Sequence, residues 1–511
     1  MSKSDARIDY QIFLPTLIVL LVICIPIAIN PEAVGKVVNT ALEFLTGKFG
    51  WLFEFFVLGT FLFLLWLAFG RYGRVKLGRP DDKPEFSYFT WIAMLFCSGI
   101  GTSLLYWSII EPIYYLQGPP IGIQPGIAAE SPAAAEWAAA YGLFHWGFSA
   151  WAIYAIPTIP IAYALYVKKI PVLRMSTACQ GVIGKHAHGF WGKAIDIAAM
   201  FGIVGGSGTA LGIGVTLISA EITALFGIPD SFGLKIAIII IWTCLFGGSV
   251  FLGLYKGIAN LSNFNVMLCL GFTGYVFLFG PTEYILNLFA NSTGLVLDNF
   301  FRLSLWTDPV AKGGFPQAWT TFYWAWWIAL APLMGLFVAR ISKGRTIREL
   351  VIAECFWGTL GCWLYFVVFG GYTLYLEMNN ILPVSAMASE EGATTAIVAV
   401  IQSLPMPKFV LAITLIISFV FSGTTFDSSA YALASGTSTG YSVSEGQPTR
   451  WLRGLWALII GIIAVLLLLV GGLTVLQISS VLVALPLIPV FIIMTMSILK
   501  WVKEDHDKDV K

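Results

Sequence analysis

Charged residues are scarce in this chain of 511 residues: Asp, Glu, Lys and Arg together make up 11% of it. A soluble domain usually carries roughly 25%. The net charge is only +1, so there is no electrostatic basis for binding nucleic acid. Because 58% of the residues are hydrophobic, a series of soluble domains is excluded. This composition indicates an all-α polytopic membrane protein that lies in a lipid bilayer.

The sequence also lacks CxxC pairs and the common catalytic motifs. The seven cysteines are odd in number and none forms a CxxC pair, which argues against a disulfide scaffold and against a zinc or redox site. The sequence has no HExxH motif and no pair of carboxylates at catalytic spacing. We therefore expect that the protein is not an enzyme.

Long apolar runs predict how the chain crosses the membrane, since a span needs about 20 mostly apolar residues. The sequence contains twelve such runs, at 11–30, 51–70, 89–116, 137–167, 194–219, 234–254, 259–281, 317–339, 349–376, 406–436, 454–471 and 474–499. With both termini on one side, that side receives 23 of the 29 basic residues. Cytoplasmic loops collect Lys and Arg, so both termini are predicted to be cytoplasmic.

Glycine-rich segments interrupt two of these runs. Residues 98–103 hold two glycines and three hydroxyl residues near the centre of the third run. Such a segment either packs closely against another helix or breaks the helix and frees carbonyl groups for an ion or substrate. For residues 205–214 in the fifth run we favour close packing or a hinge, with Thr209 as a candidate ligand.

Aromatic residues crowd the eighth run, where Trp326 and Trp327 fall near mid-membrane rather than in an interfacial belt. Tyr323, Leu330 and Met334 recur on the same helical face. Aromatic rings offer a negative quadrupole without formal charge, which suits a quaternary ammonium ion. The pattern therefore predicts a site for a trimethylammonium headgroup.

Two acidic residues fall inside predicted spans, where charge is a candidate for function. Glu111 precedes a proline, and Asp427 lies in the hydroxyl-rich segment 422–429. The hydroxyl groups suit a hard cation such as sodium. For the two acids we favour a structural role as acceptors of hydrogen bonds from interrupted backbone.

These segments resemble the betaine/choline/carnitine transporters. The likeness rests on residues 319–327 with the following 339–346 segment, Ala-Arg-Ile-Ser-Lys-Gly-Arg-Thr, and extends through nearly the whole chain. It includes Glu111-Pro112, His145-Trp146-Gly147 and Lys256-Gly257-Ile258. The nearest likeness is to carnitine/γ-butyrobetaine exchangers, through residues 307–309 and 312–317.

The resemblance implies a secondary transporter of compounds such as glycine betaine, carnitine or choline, working by alternating access. It implies a homotrimer in the cell (inner) membrane, with twelve helices per protomer and two inverted five-helix repeats of the sodium-symporter (LeuT-like) type. Residues 1–511 would form one transporter domain, with leading helices in 11–70, repeats in 89–281 and 317–499, and a short cytoplasmic tail at 500–511.

The resemblance also implies which residues form the sites. The central substrate-binding residues would be Tyr114, Trp146, Trp326, Trp327, Leu330 and Met334. An outer site on the access path would use Trp319 and Tyr323, together with Trp327. A sodium site would use Gly99, Thr424 and Thr425, with sodium as the coupling ion and no other cofactor.

Three features at family positions bear on the shape of the substrate or on coupling. Leu330 stands where the family usually has Trp or Tyr, and Met334 matches the exchangers, whose sulfur replaces one sodium. Asn265, however, stands where sodium-independent exchangers carry an arginine. We favour sodium-coupled symport, and the alternative is a sodium-independent carnitine/γ-butyrobetaine antiporter.

Overall fold

The apolar runs form helices in the computed structural model, which describes residues 7–124, 126–253, 257–440, 447–469, 475, 478, 479 and 481–506. Lys256, part of the family-like motif, lies outside the described residues, as do the ends of the predicted tail and parts of the last two predicted spans. The first helices are α1 (Tyr10–Ile29), α2 (Pro31–Phe69), α3 (Tyr88–Gly99), α4 (Ser103–Gln117), α5 (Pro132–His145), α6 (Phe148–Tyr166) and α7 (Phe190–Phe226).

The second half of the chain is equally helical. It contains α8 (Phe232–Gly253), α9 (Ala259–Phe279), α10 (Thr282–Leu305), α11 (Pro316–Ile341), α12 (Ile347–Met378), α13 (Pro407–Gly436), α14 (Arg450–Leu469) and α15 (Ala484–His506). Short helices connect these, including Val384–Glu390 and Ala393–Gln402. The strands among the described residues are Arg7–Ile8 and Ser438–Thr439, which pair antiparallel.

The all-α membrane fold class is confirmed. Among the described residues, nine helices are long and apolar enough to cross a membrane, or ten if the bent pair α3 and α4 forms one span. Each of the twelve predicted runs overlaps, in its described residues, with one of the labelled helices or a pair of them. The amphipathic helix α10 lies outside this set, as its mixture of polar and apolar residues predicts.

The third predicted span is broken at its glycines. α3 and α4 meet at an angle of 60°, and residues 100–102 separate them. Gly101 has φ +60, and a Cβ built there would lie 2.7 Å from Thr425 Oγ1. Both the left-handed backbone and this close approach require glycine. Of the two interpretations of the sequence, the broken helix is the one that the structure shows.

The glycines of the fifth predicted span serve close packing, as expected. α7 is continuous through residues 205–214. A Cβ at Gly202 would lie 2.5 Å from the carbonyl oxygen of Ala329 in α11, and one at Gly214 would lie 2.5 Å from Ser422 Oγ in α13. Small residues thus let α7 approach two neighbouring helices along its length.

The basic segments gather at one end of the helix bundle. Lys168 pairs with Asp505 at 2.8 Å, and Arg174 pairs with Asp9 at 2.7 Å. The loop after α2 bonds to the loop after α11, since the Leu77 amide donates to the carbonyl oxygen of Arg345. The segments that the charge distribution assigns to one side of the membrane are therefore neighbours in the fold.

Candidate functional site

A small cavity lies at the break between α3 and α4. Its wall includes Gly99 and Ile100 at the break, Trp146 after α5, Gly206 and Ser207 in α7, Trp326, Trp327 and Leu330 in α11, and Thr425 in α13. None of the described residues that line it is charged. Its free space of about 20 Å³ holds about one water molecule. A trimethylammonium ligand therefore requires the surrounding helices to move apart.

Three indoles form the aromatic wall of this cavity. Trp326 and Trp327 stack with their ring centroids 5.9 Å apart, and Trp146 meets Trp327 edge to face at 5.1 Å. All three side chains are buried, as the argument against lipid-facing indoles predicts. Tyr154 of α6 packs against this wall, with its ring 5.1 Å from that of Trp327, but it does not line the cavity. The three indoles bring π surface from α11 and from the segment between α5 and α6 to one cavity.

The rings continue outward from the cavity as a stacked series. Trp319 stacks on Tyr323 at 6.3 Å, and Tyr323 stacks on Trp327 at 6.4 Å. Tyr114 stacks on the far side of Trp319 at 6.2 Å and is only partly buried. Tyr114 thus lies with the residues of the predicted access path, and it does not line the central cavity.

Glu111 holds the aromatic wall together. Its Oε2 accepts hydrogen bonds from Trp146 Nε1 (2.9 Å) and from the Tyr323 hydroxyl (2.5 Å). Its Oε1 accepts from the Tyr115 hydroxyl (2.5 Å), which also contacts His145 Nδ1 (2.7 Å). The role is structural, as expected, but the donors are side chains of the candidate site rather than interrupted backbone. One fully buried carboxylate therefore sets the orientation of two aromatic rings.

The aliphatic position in the wall has a direct packing reason. A Cβ built at Gly206 of α7 would lie 2.0 Å from Leu330 Cδ2, so the leucine side chain occupies the space above that glycine. The planar ring of a tryptophan or tyrosine at position 330 would need a space of different shape beside α7. The leucine at position 330, where the family usually has an aromatic residue, thus fits against the glycine at position 206.

Oxygen atoms from α3 and α13 meet beside the break. The Thr425 hydroxyl donates to the carbonyl oxygen of Cys97 at 3.0 Å, and Gly101 faces the same hydroxyl. Thr424 donates to the carbonyl oxygen of Phe421 one turn earlier, at 2.8 Å. Hydroxyl and carbonyl oxygens are the ligands that hard cations accept. These atoms fit the predicted sodium site, although Thr425 approaches the broken helix more directly than Thr424 does.

Met334 and Asn265 contact the last turn of α3. Met334 Sδ accepts from the Ser98 hydroxyl at 3.4 Å and would lie 2.8 Å from a Cβ at Gly99. Met334 is therefore beside the break and does not line the cavity. The Asn265 amide donates to Cys97 Sγ at 3.7 Å from the fully buried face of α9. Both residues that bear on coupling thus contact the segment whose carbonyl groups the break exposes.

Several contributors to the site are not evident from the sequence. Ser103, Ser207 and Ala210 line the cavity, and α5 and α6 are separated at Trp146 and Gly147. Three π-helical segments, Pro316–Thr320, Ile352–Gly358 and Phe366–Gly370, occur in α11 and α12. π-helical segments are common at functional sites. They cannot be identified from the sequence here, because residues on every face of these helices are apolar and the hydrophobic pattern does not reveal a local change in residues per turn.

Comparisons with known proteins identify the family and the fold of the chain. The sequence model described as "BCCT, betaine/carnitine/choline family transporter" matches residues 11–507. A solved structure titled as the substrate-bound outward-open state of a Na⁺-coupled sialic acid symporter has 13% sequence identity and a TM-score of 0.51. The match covers 87% of this chain and 86% of that chain. At this identity the likeness concerns the fold alone, and it is the LeuT-like fold that the sequence predicts.

Proposed function

The chain belongs to the betaine/carnitine/choline transporter family, and from that premise we propose that it carries trimethylammonium compounds across a membrane by sodium-coupled symport. A membrane transporter is not an enzyme, in agreement with the expectation from the sequence. The observation that carries the proposal is the uncharged cavity walled by Trp146, Trp326 and Trp327. Indole faces bind a quaternary ammonium ion, which has no N–H group to donate.

The proposed substrate route follows the stacked rings. The cation enters past Tyr114, Trp319 and Tyr323 and settles against Trp326 and Trp327. We assign Tyr114 to the access path because it stacks on Trp319 away from the cavity. Closure around the substrate would involve the joint between α3 and α4, since discontinuous helices commonly form the site in such transporters.

The proposed assembly and topology follow the family expectation. We propose a homotrimer in the cell (inner) membrane, with inverted repeats in residues 89–281 and 317–499 and both termini cytoplasmic. Support for the orientation comes from the contacts Lys168–Asp505 and Arg174–Asp9, which bring the basic segments to one end.

Sodium coupling rests on the oxygens beside the break. Thr425 and the Cys97 carbonyl are neighbours, and Asn265 contributes no fixed positive charge there. The alternative, a sodium-independent carnitine/γ-butyrobetaine antiporter, draws on Met334, whose sulfur contacts Ser98 at the same break. The two candidates differ in whether a sodium gradient drives net uptake.

Uptake into proteoliposomes tests the proposed function. We would measure glycine betaine, carnitine, γ-butyrobetaine and choline, each with an inward sodium gradient and with potassium in its place. We expect net uptake of at least one compound, stimulated by sodium. Transport that is equal in potassium and that requires substrate inside the vesicle would favour the antiporter, and no transport of any compound would contradict both.

The aromatic wall predicts the effect of two substitutions. Trp326→Ala and Trp146→Ala are each expected to weaken substrate binding by more than about 1 kcal/mol, or roughly fivefold, because a desolvated cation–π contact contributes up to about 2 kcal/mol. Binding titrations of the purified variants provide the measurement. Trp51→Ala removes an exposed indole and serves as the control. Parent-like affinity in both cavity variants would show that the substrate binds elsewhere.

The hydroxyl groups of Thr424 and Thr425 are expected to set the sodium concentration that uptake requires. Combining Thr424→Ala with Thr425→Ala is expected to raise the sodium concentration for half-maximal uptake by about fivefold, since a lost polar contact costs about 1 kcal/mol. The control is Thr373→Ala, which removes a buried hydroxyl bonded to the Phe369 carbonyl oxygen in α12. An unchanged sodium dependence in the double variant would remove these hydroxyls from the coupling site.

A further inference from the structure

A stripe of polar groups follows the seam between α7 and α13, which pack antiparallel. Three levels of contact are regularly spaced along it. Ser207 Oγ donates to Ser429 Oγ at 2.7 Å, Gly214 faces Ser422 Oγ, and the Ser418 hydroxyl donates to Glu221 Oε1 at 3.1 Å. On α7 these levels are seven residues apart, so they share one helix face. Polar groups on a helix face inside a membrane bundle are rare, and they are candidates for function.

The seam is joined to the break between α3 and α4. The Thr102 hydroxyl, at the start of α4, donates to the carbonyl oxygen of Ser418 at 2.7 Å and lies 2.5 Å from Ser422 Oγ. Ser422 and Thr425 both line a small cavity beside Gly101. Hydrogen bonds therefore lead from Glu221, near one end of α7, through Ser418 and Thr102 to Ser422, which lines the same small cavity as Thr425.

Glu221 is a buried acid of the seam whose carboxylate has a hydrogen bond on one oxygen only. The residue has no solvent exposure, and its Oε2 has no hydrogen-bond partner among the described residues. The nearby acid Asp230 is already paired with Lys235 at 3.0 Å. The hydroxyl of Thr414, one turn before Ser418, also faces this carboxylate. A buried carboxylate needs hydrogen-bond donors or a positive charge to offset the loss of water, and a cation bound between Oε2 and the hydroxyl groups would supply that charge.

From this geometry we propose that Glu221, with the hydroxyl of Ser418, binds a sodium ion at a second site distinct from the one beside Thr425. One carboxylate offsets one positive charge, and hydroxyl oxygens are hard ligands. No group of three or more His, Cys, Asp or Glu residues occurs in the part of the chain that is described, which favours a monovalent ion over a transition metal. The choice of sodium rests on the coupling proposed above.

Equilibrium binding of ²²Na⁺ to the purified full-length protein tests the site. We expect Glu221→Gln to remove one bound sodium per protomer, and Ser418→Ala to weaken that component at least fivefold. The control is Glu283→Gln, because Glu283 is an exposed acid at the start of α10 and lies outside the seam. Parent-like binding in both seam variants would overturn the proposal, as would a parent protein that binds no sodium.

Two further measurements distinguish a failure of the Glu221 site from a failure of the proposed sodium coupling. Substrate binding by Glu221→Gln, followed through tryptophan fluorescence, shows that the variant is folded. Ser418→Ala gives an independent measure if the glutamine variant does not fold. Sodium-independent uptake by the parent would contradict the proposed symport, while loss of ²²Na⁺ binding in Glu221→Gln would still support the site. Sodium-dependent uptake with unchanged ²²Na⁺ binding in both seam variants would overturn only the Glu221 site.

Discussion

Glu111→Gln is expected to lower substrate affinity and transport by at least tenfold. The carboxylate accepts three hydrogen bonds, from Tyr115, Trp146 and Tyr323. Glutamine has the same shape, but its amide nitrogen is a donor and would face groups that donate. A buried polar group left unsatisfied costs about 1–3 kcal/mol, so at least one aromatic ring is expected to leave its position.

Substrate binding and uptake by the purified, reconstituted variant provide the measurement. Tyr323→Phe removes one of the three donors and should have a smaller effect than Glu111→Gln. Glu283→Gln, an exposed acid at the start of α10, is the control and should behave like the parent. If Glu111→Gln binds substrate within about twofold of the parent, a difference of about 0.4 kcal/mol, then Glu111 does not organise the site.

Asn265→Arg is expected to abolish sodium dependence while preserving exchange of substrate. The Asn265 side chain contacts Cys97, whose carbonyl oxygen accepts from Thr425 in the candidate sodium site. A guanidinium group at this position would supply a permanent positive charge to the break between α3 and α4. Sodium could then no longer favour one conformation over the other, because its differential binding would be lost.

Counterflow into vesicles in sodium and in potassium distinguishes the outcomes. The arginine variant should exchange substrate equally in both salts, whereas Asn265→Gln, which stays neutral, should keep the parent's sodium dependence. Continued exchange shows that the arginine variant is folded. An arginine variant that still requires sodium would contradict the prediction, and a parent that is indifferent to sodium would favour the antiporter.

The two predictions address different parts of one structure. Glu111 joins α4 to Trp146 and to Tyr323 of α11, and so acts on the shape of the aromatic wall. Asn265 joins α9 to the end of α3, and so would act on a sodium ion bound at the proposed site. Glu111→Gln should therefore change substrate affinity in both sodium and potassium. Asn265→Arg should instead change the difference in transport between sodium and potassium.

The sequence determined the helical membrane class, the helix positions and the aromatic character of the site. These properties are local, since a run of about 20 apolar residues or a row of aromatics on one helix face can be counted along the chain. The position of Trp326 and Trp327 near mid-membrane predicts an aromatic site for a quaternary ammonium ion without any knowledge of tertiary contacts. The glycines at 99 and 101 left two interpretations open, because packing and breaking use the same residue type.

Only the tertiary structure decided between those interpretations and showed which residues meet. Gly101 adopts positive φ, and Thr425, more than 300 positions away in the sequence, leaves no room for a Cβ at this position. Leu330 fits against Gly206, and Glu111 bonds to Trp146 and Tyr323, through contacts between separate helices. Tyr114 and Met334 could not be placed relative to the cavity from helical spacing alone. In a bundle that is apolar on nearly every face, periodicity does not identify the neighbours of a side chain, and it is the packing of helices against one another that does so.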